Sequence, residues 1–319
     1  MKAMILAAGF GVRMRPLTRL RPKPLFPVLN RPIIDILIRQ LKKAGCEAVI
    51  VNTHHLASLV SDHVAEQDYG IGVRCRFEPV ILGTGGGIKN VEDFWDTRPF
   101  IVINSDILSD IDIHDAYRFH LTHDDPATLI LHDFPEFNNV WVERSLDRII
   151  GFHQSGGAGC ASEPFRKLAF TGIQIVDPDI LDFIPEGTFS SSIDAYDAML
   201  AKGLKLRGHI VNGHYWQDMG SIRGYRRGVR DLLLQRCLIP DIIPEQKETC
   251  CGKNLVMGEK SRLRGWNLIG DNLTCEKDCI VSRSIIWDNV LIREGVAVKD
   301  SIVADEAIVS APASGKVIV

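Results

Sequence analysis

The sequence predicts an α/β protein in which a doubly wound, mainly parallel sheet is followed by a short parallel β-helix. Two observations lead to this fold class. Over the first two thirds of the 319 residues, short apolar runs rich in Val and Ile alternate with amphipathic helical patterns. After about residue 260, apolar residues recur every six positions, which is the period of a parallel β-helix.

The alternation of strands and helices predicts βαβ units, which build a parallel sheet covered by helices on both faces. Continuous apolar runs predict buried strands. The predicted strands are Lys2–Leu6, Ala48–Asn52, Val73–Phe77, Phe100–Asn104, Ala127–His132, Val140–Glu143, Arg148–His153, Phe170–Val176 and Leu206–Val211. Apolar residues at helical spacing predict helices at Pro32–Ala44, Leu56–Glu66, Ile113–His123 and Ser221–Leu234. The fold class of this part is therefore Rossmann-like.

The six-residue rhythm consists of two series that are offset by two residues. Their members are Ile280, Ile286, Ile292, Val298 and Ala304 in the first series, and Val290, Val296, Ile302 and Ile308 in the second. Because residues two apart face the same side of a strand, both series are expected to point into one core. We predict a first domain at 1–235, a linker at 236–260 and a left-handed β-helix at 261–319. A short solenoid exposes its ends, so we expect this tail to mediate a homo-oligomer.

Composition excludes several functional classes. Hydrophobic residues make up 45% of the chain, charged residues 24%, and the net charge is −3, so a broad nucleic-acid or membrane-binding surface is not expected. No apolar run approaches the roughly 20 residues of a membrane-spanning helix, and the N-terminal residues lack the pattern of a signal peptide. We therefore expect a cytoplasmic protein.

Eight cysteines are scattered along the chain. The close pairs are Cys250-Cys251 and Cys275-x3-Cys279, whereas zinc sites usually use two spaced pairs. Reduced thiols that pack as small hydrophobic side chains are the favoured interpretation. Zinc bound by these four cysteines is the alternative.

The stretch Leu6–Leu25 combines glycines, cations and prolines directly after the first strand. A strand that runs into Gly9-Phe10-Gly11 presents backbone N–H groups to an anion. Arg13, Arg15 and Lys23 can then neutralise phosphate charge. These features predict a nucleoside triphosphate site.

Two other phosphate-binding motifs do not fit this stretch. A dinucleotide-binding loop would need Gly at the position of Met14. A P-loop would need Gly-Lys-Ser/Thr after the glycines, and the sequence has none there.

The stretch Leu6–Thr18, together with Pro22–Leu25, resembles the signature of the sugar-1-phosphate nucleotidyltransferases, L-A-A-G-x-G-x-R-x-x-P-L-T followed by P-K-P-L. The resemblance implies the reaction NTP + sugar 1-phosphate ⇌ NDP-sugar + pyrophosphate, with Mg²⁺ as cofactor. It also implies that Arg13 and Lys23 are the catalytic residues. Arg13 would bind the departing β- and γ-phosphates, and Lys23 would stabilise charge at the α-phosphate.

Asp106 lies just beyond the strand Phe100–Asn104, where ligands bind in open α/β sheets. A carboxylate beside a triphosphate favours Mg²⁺, which binds one or two carboxylates together with phosphate oxygens and water. The segment Tyr215–Ser221 resembles the W-x-D-x-G-T/S element of the family. This resemblance implies that Asp218 is the second metal ligand.

The segment Gly83–Gly87 has four glycines in five residues and precedes a helical pattern that begins at Ile88. Such a loop lets the backbone approach a planar base closely, and the resemblance implies that it binds the nucleobase. Glu78 could accept a hydrogen bond from a ring N–H of the base. The predicted nucleotide-binding residues are Leu6, Ala7, Ala8, Gly9, Gly11, Glu78, Gly83 and Thr84.

The segment Phe170–Ile173 resembles the F/Y-T-G-I strand at the sugar site of the family. This implies that Thr171 and Gly172, together with Asn104, bind the sugar. Many members also carry Glu-Lys-Pro, which contacts the sugar and its phosphate, but the matching place here reads Gly151–Ser155. Arg166 or Lys167 could supply the missing cation.

Two branches of the family fit this chain. Mannose-1-phosphate guanylyltransferases often carry both a Gly-Thr loop and a hexapeptide tail, and this branch is favoured. N-acetylmuramate-1-phosphate uridylyltransferases have a similar opening motif and a similar Thr-Gly-Gly-Gly-Ile run but typically lack the tail. Non-catalytic regulatory subunits of such enzymes usually lose a motif cation or a metal-binding Asp. Arg13, Lys23, Asp106 and Asp218 are all present, so an enzyme is predicted.

Overall fold

A computed structural model describes residues 1–152, 164–239, 242 and 248–319. The described chain divides into two compact units. The first unit comprises Met1–Phe10, Leu37–Ile107 and Ile111–Trp216, and the second comprises Gly11–Ile36, Leu108–Asp110 and Gln217–Val319. The opening stretch is thus divided, because its cationic part belongs to the same unit as the C-terminal region. The division into a first domain at 1–235 and a β-helix at 261–319 remains a prediction.

The described residues of the first unit build a nine-stranded sheet. In spatial order the strands are Gly72–Phe77, Ala48–Thr53, Lys2–Leu6, Phe100–Asn104, Phe165–Val176, Ala127–His132, Leu206–Val211, Arg148–Phe152 and Val140–Glu143. Each of the nine predicted strands is found at or near its predicted bounds. The largest difference is the sugar-site strand, which begins at Phe165 instead of Phe170.

The sheet is mixed, and the prediction of a mainly parallel sheet is corrected. Neighbours from Gly72–Phe77 to Phe100–Asn104 are parallel, but Phe165–Val176 runs antiparallel to both adjacent strands. Parallel neighbours need a crossover, whereas antiparallel strands need only a turn. The turn before Arg148–Phe152 contains Asp147 in the left-handed conformation, with φ of 51°, and this short connection produces an antiparallel pair.

The described chain contains six α-helices. They are α1 (Ile33–Lys43), α2 (Ala57–Glu66), α3 (Gly83–Lys89), α4 (Ile113–His120), α5 (Ser192–Ala201) and α6 (Ile222–Leu233). The sequence patterns predicted all of them except α3 and α5. Helix α5 begins with a capping box between Ser191 and Asp194, a signal that the predictions overlooked. None of the helices in the described chain is both long and apolar enough to cross a membrane.

The described chain also contains short 3₁₀ helices and two small two-stranded sheets. The 3₁₀ helices are Val12–Met14, Leu17–Arg19, Lys23–Leu25, Glu92–Phe94 and Pro178–Phe183. One small sheet pairs Pro27–Val28 with Arg31–Pro32, and the other pairs Ile107–Ser109 with Trp216–Asp218.

Residues 249–319 of the second unit (the repeat region) consist of short strands in parallel ladders. One ladder contains Thr249–Cys251, Arg262–Ile269, Ile280–Ile286, Ala297–Lys299 and Ala313–Ser314, with Ile302–Val303 and Val317–Ile318 joined to it. The other contains Val256–Met257, Thr274–Cys275, Leu291–Ile292 and Ile308–Val309. Partners in successive layers are mostly 17 or 18 residues apart, as in the series Cys251, Ile269, Ile286 and Val303.

The six-residue series matches this core in its middle but not at its two ends. Ile280 is only half-buried, and its neighbour Val281 lies in the core instead. Ile286, Ile292 and Val298 are buried in the core of the repeat region, but Ile308 is 58% exposed. Several layers are 17 residues long, one residue short of three six-residue steps, so a strict six-residue series drifts out of phase. Val309 occupies the inward position that was predicted for Ile308.

Two short strands lie within the segment 236–260, for which a linker is predicted. Thr249–Cys251 and Val256–Met257 already pair with Arg262–Ile269 and Thr274–Cys275 in the ladders. These two strands therefore extend the ladders of the repeat region by one layer toward the N-terminus. Pro240 and Pro244, which belong to the predicted linker, lie outside the described residues.

Candidate active site

A chain of hydrogen bonds joins three segments of the first unit at the carboxyl ends of neighbouring strands. Ala7 N–H donates to Asn52 Oδ1 over 2.7 Å. Asn52 Nδ2 donates to Glu78 Oε1 over 2.7 Å, and Leu82 N–H donates to Glu78 Oε2 over 3.1 Å. Because Asn52 and Glu78 are both buried, this network fixes the predicted base-binding loops relative to one another.

The network assigns Glu78 a positioning task that sequence reasoning did not predict. Its side chain is fully buried, and each carboxylate oxygen accepts a hydrogen bond. The predicted contact between Glu78 and the base stays a prediction. Asn52 was missed entirely, although a polar residue at the end of a Val- and Ile-rich strand is a usable signal.

Glu78→Gln is expected to lower the free energy of unfolding by about 1–3 kcal/mol, the cost of an unsatisfied buried polar group. Both carboxylate oxygens accept from N–H donors, so either orientation of the amide turns its NH₂ toward a donor. Urea unfolding measures the loss. Glu92→Gln is the control, because Glu92 forms an ion pair with Lys89 at the surface and exposed pairs contribute about 0–1 kcal/mol. Equal losses in both variants would contradict the positioning task.

The glycines at 83–87 lie inside helix α3, which corrects the prediction of a loop with a helix from Ile88. Glycine is poor in helices, but here close packing requires it. A Cβ at Gly86 would lie 2.7 Å from the carbonyl oxygen of Thr188, and one at Gly87 would lie 2.7 Å from Asn52 Nδ2. The Thr84 hydroxyl accepts from Ser192 N–H over 2.8 Å. The glycines therefore let α3 approach its neighbours without side chains between them.

Two of the predicted sugar-binding residues are brought together in the first unit. Gly172 has φ of 79°, and a Cβ there would lie 2.5 Å from Asn104 Nδ2, so only glycine fits. The Thr171 hydroxyl donates to the carbonyl oxygen of Ile130 over 2.8 Å, and its own carbonyl oxygen accepts from Trp216 Nε1 over 3.0 Å. These bonds hold the irregular part of the strand in place.

The two cations proposed to replace Glu-Lys-Pro are engaged elsewhere. Arg166 Nη2 donates to Asp147 Oδ1 over 2.9 Å, and Lys167 Nζ lies 4.4 Å from the ring centroid of Trp141. Both residues line an open pocket of about 440 Å³. The predicted departure from the family pattern falls mostly at residues 153–163, which lie outside the described residues.

In the second unit, a turn of the opening stretch brings Gly11, Thr18 and Lys23 together. The Thr18 hydroxyl donates to the carbonyl oxygen of Gly11 over 3.1 Å. Gly11 is left-handed, with φ of 60°, and a Cβ there would lie 2.8 Å from Thr18 Cγ2 and 3.6 Å from Lys23 Cε. The second glycine of the motif thus lets the chain fold back so that the lysine lies beside it.

Arg13 and Asp218, which are far apart in sequence, also meet in the second unit. Arg13 Nη1 lies 4.0 Å from Asp218 Oδ2, and the Arg13 side chain is 64% exposed. Asp218 Oδ1 accepts from Gly220 N–H over 2.5 Å, so the turn into α6 orients the carboxylate. Because the two atoms are 4.0 Å apart and Arg13 is mostly exposed, this ion pair contributes little to stability. Asp106 is half-buried in the first unit, directly after its strand.

Carboxylates fit the predicted metal. Asp106 and Asp218 offer oxygen atoms, the donors that Mg²⁺ prefers, and such sites are completed by substrate oxygens and water. Among the residues that the structure describes, no group of three or more His, Cys, Asp or Glu side chains could hold a metal ion. The zinc alternative at the four C-terminal cysteines therefore gains no support from the described part of the chain.

The opening stretch is anchored to the repeat region by Arg21, a contact that the sequence did not reveal. Arg21 Nε and Nη2 bind both carboxylate oxygens of Asp305, at 3.1 and 2.8 Å, and Nη2 also lies 3.0 Å from Asp288 Oδ2. Burial raises the pKa of Asp305, and Arg21 opposes this rise. The guanidinium also lies 5.0 Å from the ring centroid of Trp287.

Aromatic packing and backbone contacts extend this anchor. Phe26 packs against Trp287 and Tyr225, with ring centroids 4.9 and 5.3 Å away. The Tyr225 hydroxyl donates to the carbonyl oxygen of Pro27 over 2.7 Å, and Asn30 Nδ2 donates to that of Ile269 over 2.8 Å. Within the second unit, the segment that carries Arg13 and Lys23 thus depends on the repeat region for its conformation.

The chain is similar in sequence to known nucleotidyltransferases. Residues 2–139 match the family model described as nucleotidyl transferase. A UTP–glucose-1-phosphate uridylyltransferase from a Synechocystis species is 28% identical, over 95% of this chain and 82% of its own length. A mannose-1-phosphate guanylyltransferase from Mycobacterium tuberculosis is also 28% identical, over 93% of this chain and 82% of its own length.

Among solved structures, a UDP-glucose pyrophosphorylase from Acinetobacter baumanii shares the fold. The structural match covers 75% of this chain and 94% of the pyrophosphorylase chain, with a TM-score of 0.63 and 20% sequence identity. The predicted signature, the family model that matches residues 2–139 and the names of these relatives all indicate similarity to the sugar-1-phosphate nucleotidyltransferases.

Proposed function

We propose that this nucleotidyltransferase joins a nucleoside triphosphate to a sugar 1-phosphate, forming an NDP-sugar and releasing pyrophosphate. The proposal rests on the signature Leu6–Thr18, whose cation Arg13 is exposed and lies beside the second signature carboxylate, Asp218. The reaction needs no covalent enzyme intermediate. An oxygen of the sugar phosphate attacks the α-phosphorus in line, and positioning and charge neutralisation lower the barrier.

Each signature cation has a distinct task in this proposal. Arg13 binds the β- and γ-phosphates and stabilises the charge of the departing pyrophosphate. Lys23 stabilises the charge at the α-phosphate and orients the attacking phosphate. Asp106 and Asp218 would hold Mg²⁺, which when bound supplies positive charge at the α-phosphate.

Most of the residues proposed to bind the nucleotide and the sugar lie in the first unit. Nucleotide binding is proposed for Leu6, Ala7, Ala8, Gly9, Glu78, Gly83 and Thr84, and, in the second unit, for Gly11. Sugar binding is proposed for Asn104, Thr171 and Gly172. The close packing at Gly87 and Gly172, where a Cβ would lie 2.7 Å and 2.5 Å from asparagine amide nitrogens, supports preformed binding surfaces.

Mannose 1-phosphate and GTP are the proposed substrates. The tail favours this branch over the N-acetylmuramate-1-phosphate uridylyltransferases, and a mannose-1-phosphate guanylyltransferase is among the relatives that align over most of the chain. A uridylyltransferase acting on glucose 1-phosphate is the second candidate, because the Synechocystis relative bears that name. A non-catalytic regulatory subunit is disfavoured, since all four signature residues are present.

A pyrophosphate-release assay tests the proposal. The purified full chain would be mixed with Mg²⁺, each of four nucleoside triphosphates and a panel of sugar 1-phosphates. We expect the highest kcat/KM with GTP and mannose 1-phosphate. Turnover with UTP and glucose 1-phosphate alone would support the second candidate, and no turnover with any pair would contradict the proposed function.

We further propose that the repeat region is a short left-handed β-helix through which the protein forms a homo-oligomer. Support comes from an outward column of residues in one ladder, where Val256, Thr274, Leu291 and Ile308 pair in register. Val256 and Ile308 are more than half exposed. Apolar side chains in such a column are typical of an interface.

Ile308→Lys is expected to lower the oligomeric mass, because a charge would have to be buried in the interface. Light scattering of the full chain measures the mass. Leu121→Lys is the matched control, since Leu121 is 59% exposed and follows helix α4 in the first unit. An unchanged mass for Ile308→Lys, or an equal decrease for Leu121→Lys, would contradict the proposed interface.

A further inference from the structure

One face of helix α6 forms a cationic groove of about 750 Å³ in the second unit. The volume lies within the range of about 300–1,000 Å³ that is typical of small-molecule sites. The described residues that line it are Ile222, Arg223, Arg226, Arg227, Arg230, Trp266, Arg283 and Asp300. None of these residues belongs to the proposed reaction.

The groove concentrates positive charge in a chain whose net charge is −3. Arg223, Arg226, Arg227 and Arg230 follow one another at helical spacing, so they share one face of α6. Like charges three and four residues apart destabilise a helix. A bound anion would remove this repulsion, which points to a negatively charged ligand.

The carboxylates near the groove neutralise only part of this charge. Asp300 is the single carboxylate among the described lining residues, and Arg283 Nε donates to its Oδ1 over 2.9 Å. Arg226 Nη2 also lies 3.4 Å from Asp300 Oδ1. Arg227 and Arg230 lie 3.8 and 2.8 Å from Asp231, which is almost fully buried. Both carboxylates are therefore shared among several arginines.

The donors of the groove are held in place and are not all satisfied. The guanidinium of Arg226 lies 5.8 Å from the ring centroid of Trp266, and its buried Nε has no hydrogen-bond partner among the described residues. Arg223 and Arg227 are exposed at the surface of the helix. Gly228 lets α6 pack closely on Met219, so the arginine face is carried by a fixed helix.

We propose that this groove binds a small molecule that carries two or more phosphate groups. Guanidinium groups bind phosphate oxygens in pairs of parallel hydrogen bonds, which single lysines cannot do. Arg223 and Arg230 are seven residues apart, or about 10 Å along the helix axis. A diphosphate can contact several of these arginines at once, whereas a single phosphate contacts fewer. This proposal about the groove is independent of the reaction proposed above.

Calorimetric titration of the full chain with inorganic pyrophosphate tests the site. All proteins would carry Arg13→Ala and Lys23→Met, so that pyrophosphate bound by the signature cations does not contribute. Adding Arg223→Gln and Arg227→Gln is expected to weaken pyrophosphate binding by about tenfold or more, because charge-assisted hydrogen bonds are lost. Adding Arg39→Gln and Lys43→Gln is the matched control, since these cations are exposed with the same spacing on helix α1. This control should bind pyrophosphate as the parent does.

Three results would overturn the proposal. They are equal affinity after Arg223→Gln and Arg227→Gln, an equal loss in the α1 control, and equal binding of sulfate at the same ionic strength, which would mean an adventitious ion only. If the glutamine variant fails to fold, Arg223→Lys with Arg227→Lys replaces it. These lysines keep the charge but lose paired hydrogen bonds, so we expect weaker pyrophosphate binding, and unchanged binding would overturn the proposal. A lack of turnover in the pyrophosphate-release assay would leave these titrations unaffected.

Discussion

Trp287→Ala is expected to lower the free energy of unfolding by about 3–5 kcal/mol, the usual cost of removing a buried aromatic side chain. The indole is fully buried, and its ring centroid lies 4.9 Å from that of Phe26. Its Nε1 donates to the Tyr225 hydroxyl over 3.3 Å. Truncation would therefore leave a cavity in the repeat region at the point where the opening stretch packs against it.

Urea unfolding of the full chain, followed by far-ultraviolet circular dichroism, measures this loss. Trp287→Phe is the control, because it keeps most of the ring contacts and loses only the N–H donor and part of the volume. It should cost less, on the order of 1 kcal/mol for the hydrogen bond. Since Phe26 lies three residues after Lys23, we also expect lower turnover from folded Trp287→Ala protein. A midpoint equal to that of the wild type would show that the anchor is not needed.

Lys23→Met is expected to lower kcat by about 10²–10³, the range measured when one preorganised group that stabilises transition-state charge is removed. In the proposed function, Lys23 contributes positive charge at the α-phosphate. Its alkyl chain lies near Gly11, and the 3₁₀ helix Lys23–Leu25 fixes its backbone. Met retains the length and apolar contacts of the side chain but not its charge, so the change isolates the electrostatic contribution.

The pyrophosphate-release assay measures this effect, and thermal unfolding of the same samples checks the fold. Arg19→Gln is the matched control. Arg19 is an exposed cation of the same stretch, and no task in the reaction is proposed for it. The kcat of this variant should stay within about twofold of the wild type, less than 1 kcal/mol in barrier height. A Lys23→Met enzyme that retained most of its kcat, or a similar loss in Arg19→Gln, would refute the catalytic assignment.

Local patterns predicted most of the first unit. The bounds of Lys2–Leu6, Phe100–Asn104 and Ala127–His132 agree with the continuous apolar runs, because a strand buried on both faces needs no polar residues. Helix α3 was missed because helix propensity disfavours its four glycines. Close packing against Asn52 and residues 188–191 overrides that preference.

The signature residues could be named from sequence because they lie in short, specific motifs. Arg13 and Lys23 are ten residues apart in one such motif, and their chemistry is evident from charge and from neighbouring glycines. Asn52 and Arg21 were not named in this way. Each acts through partners that lie tens or hundreds of residues away. Arg21 carries no local signal, and the only signal for Asn52 is its position as a polar residue at the end of an apolar strand.

The amino-acid sequence alone was enough to predict an α/β fold, the family signature and a repetitive tail, because each depends on residues that are close together in the chain. Folding decided which of these parts depend on one another. The opening stretch divides at Gly11, and its cationic part shares a unit with the repeat region through Arg21, Phe26 and Trp287. The physical reason is that ion pairs and buried rings form between side chains that meet only after the chain has folded.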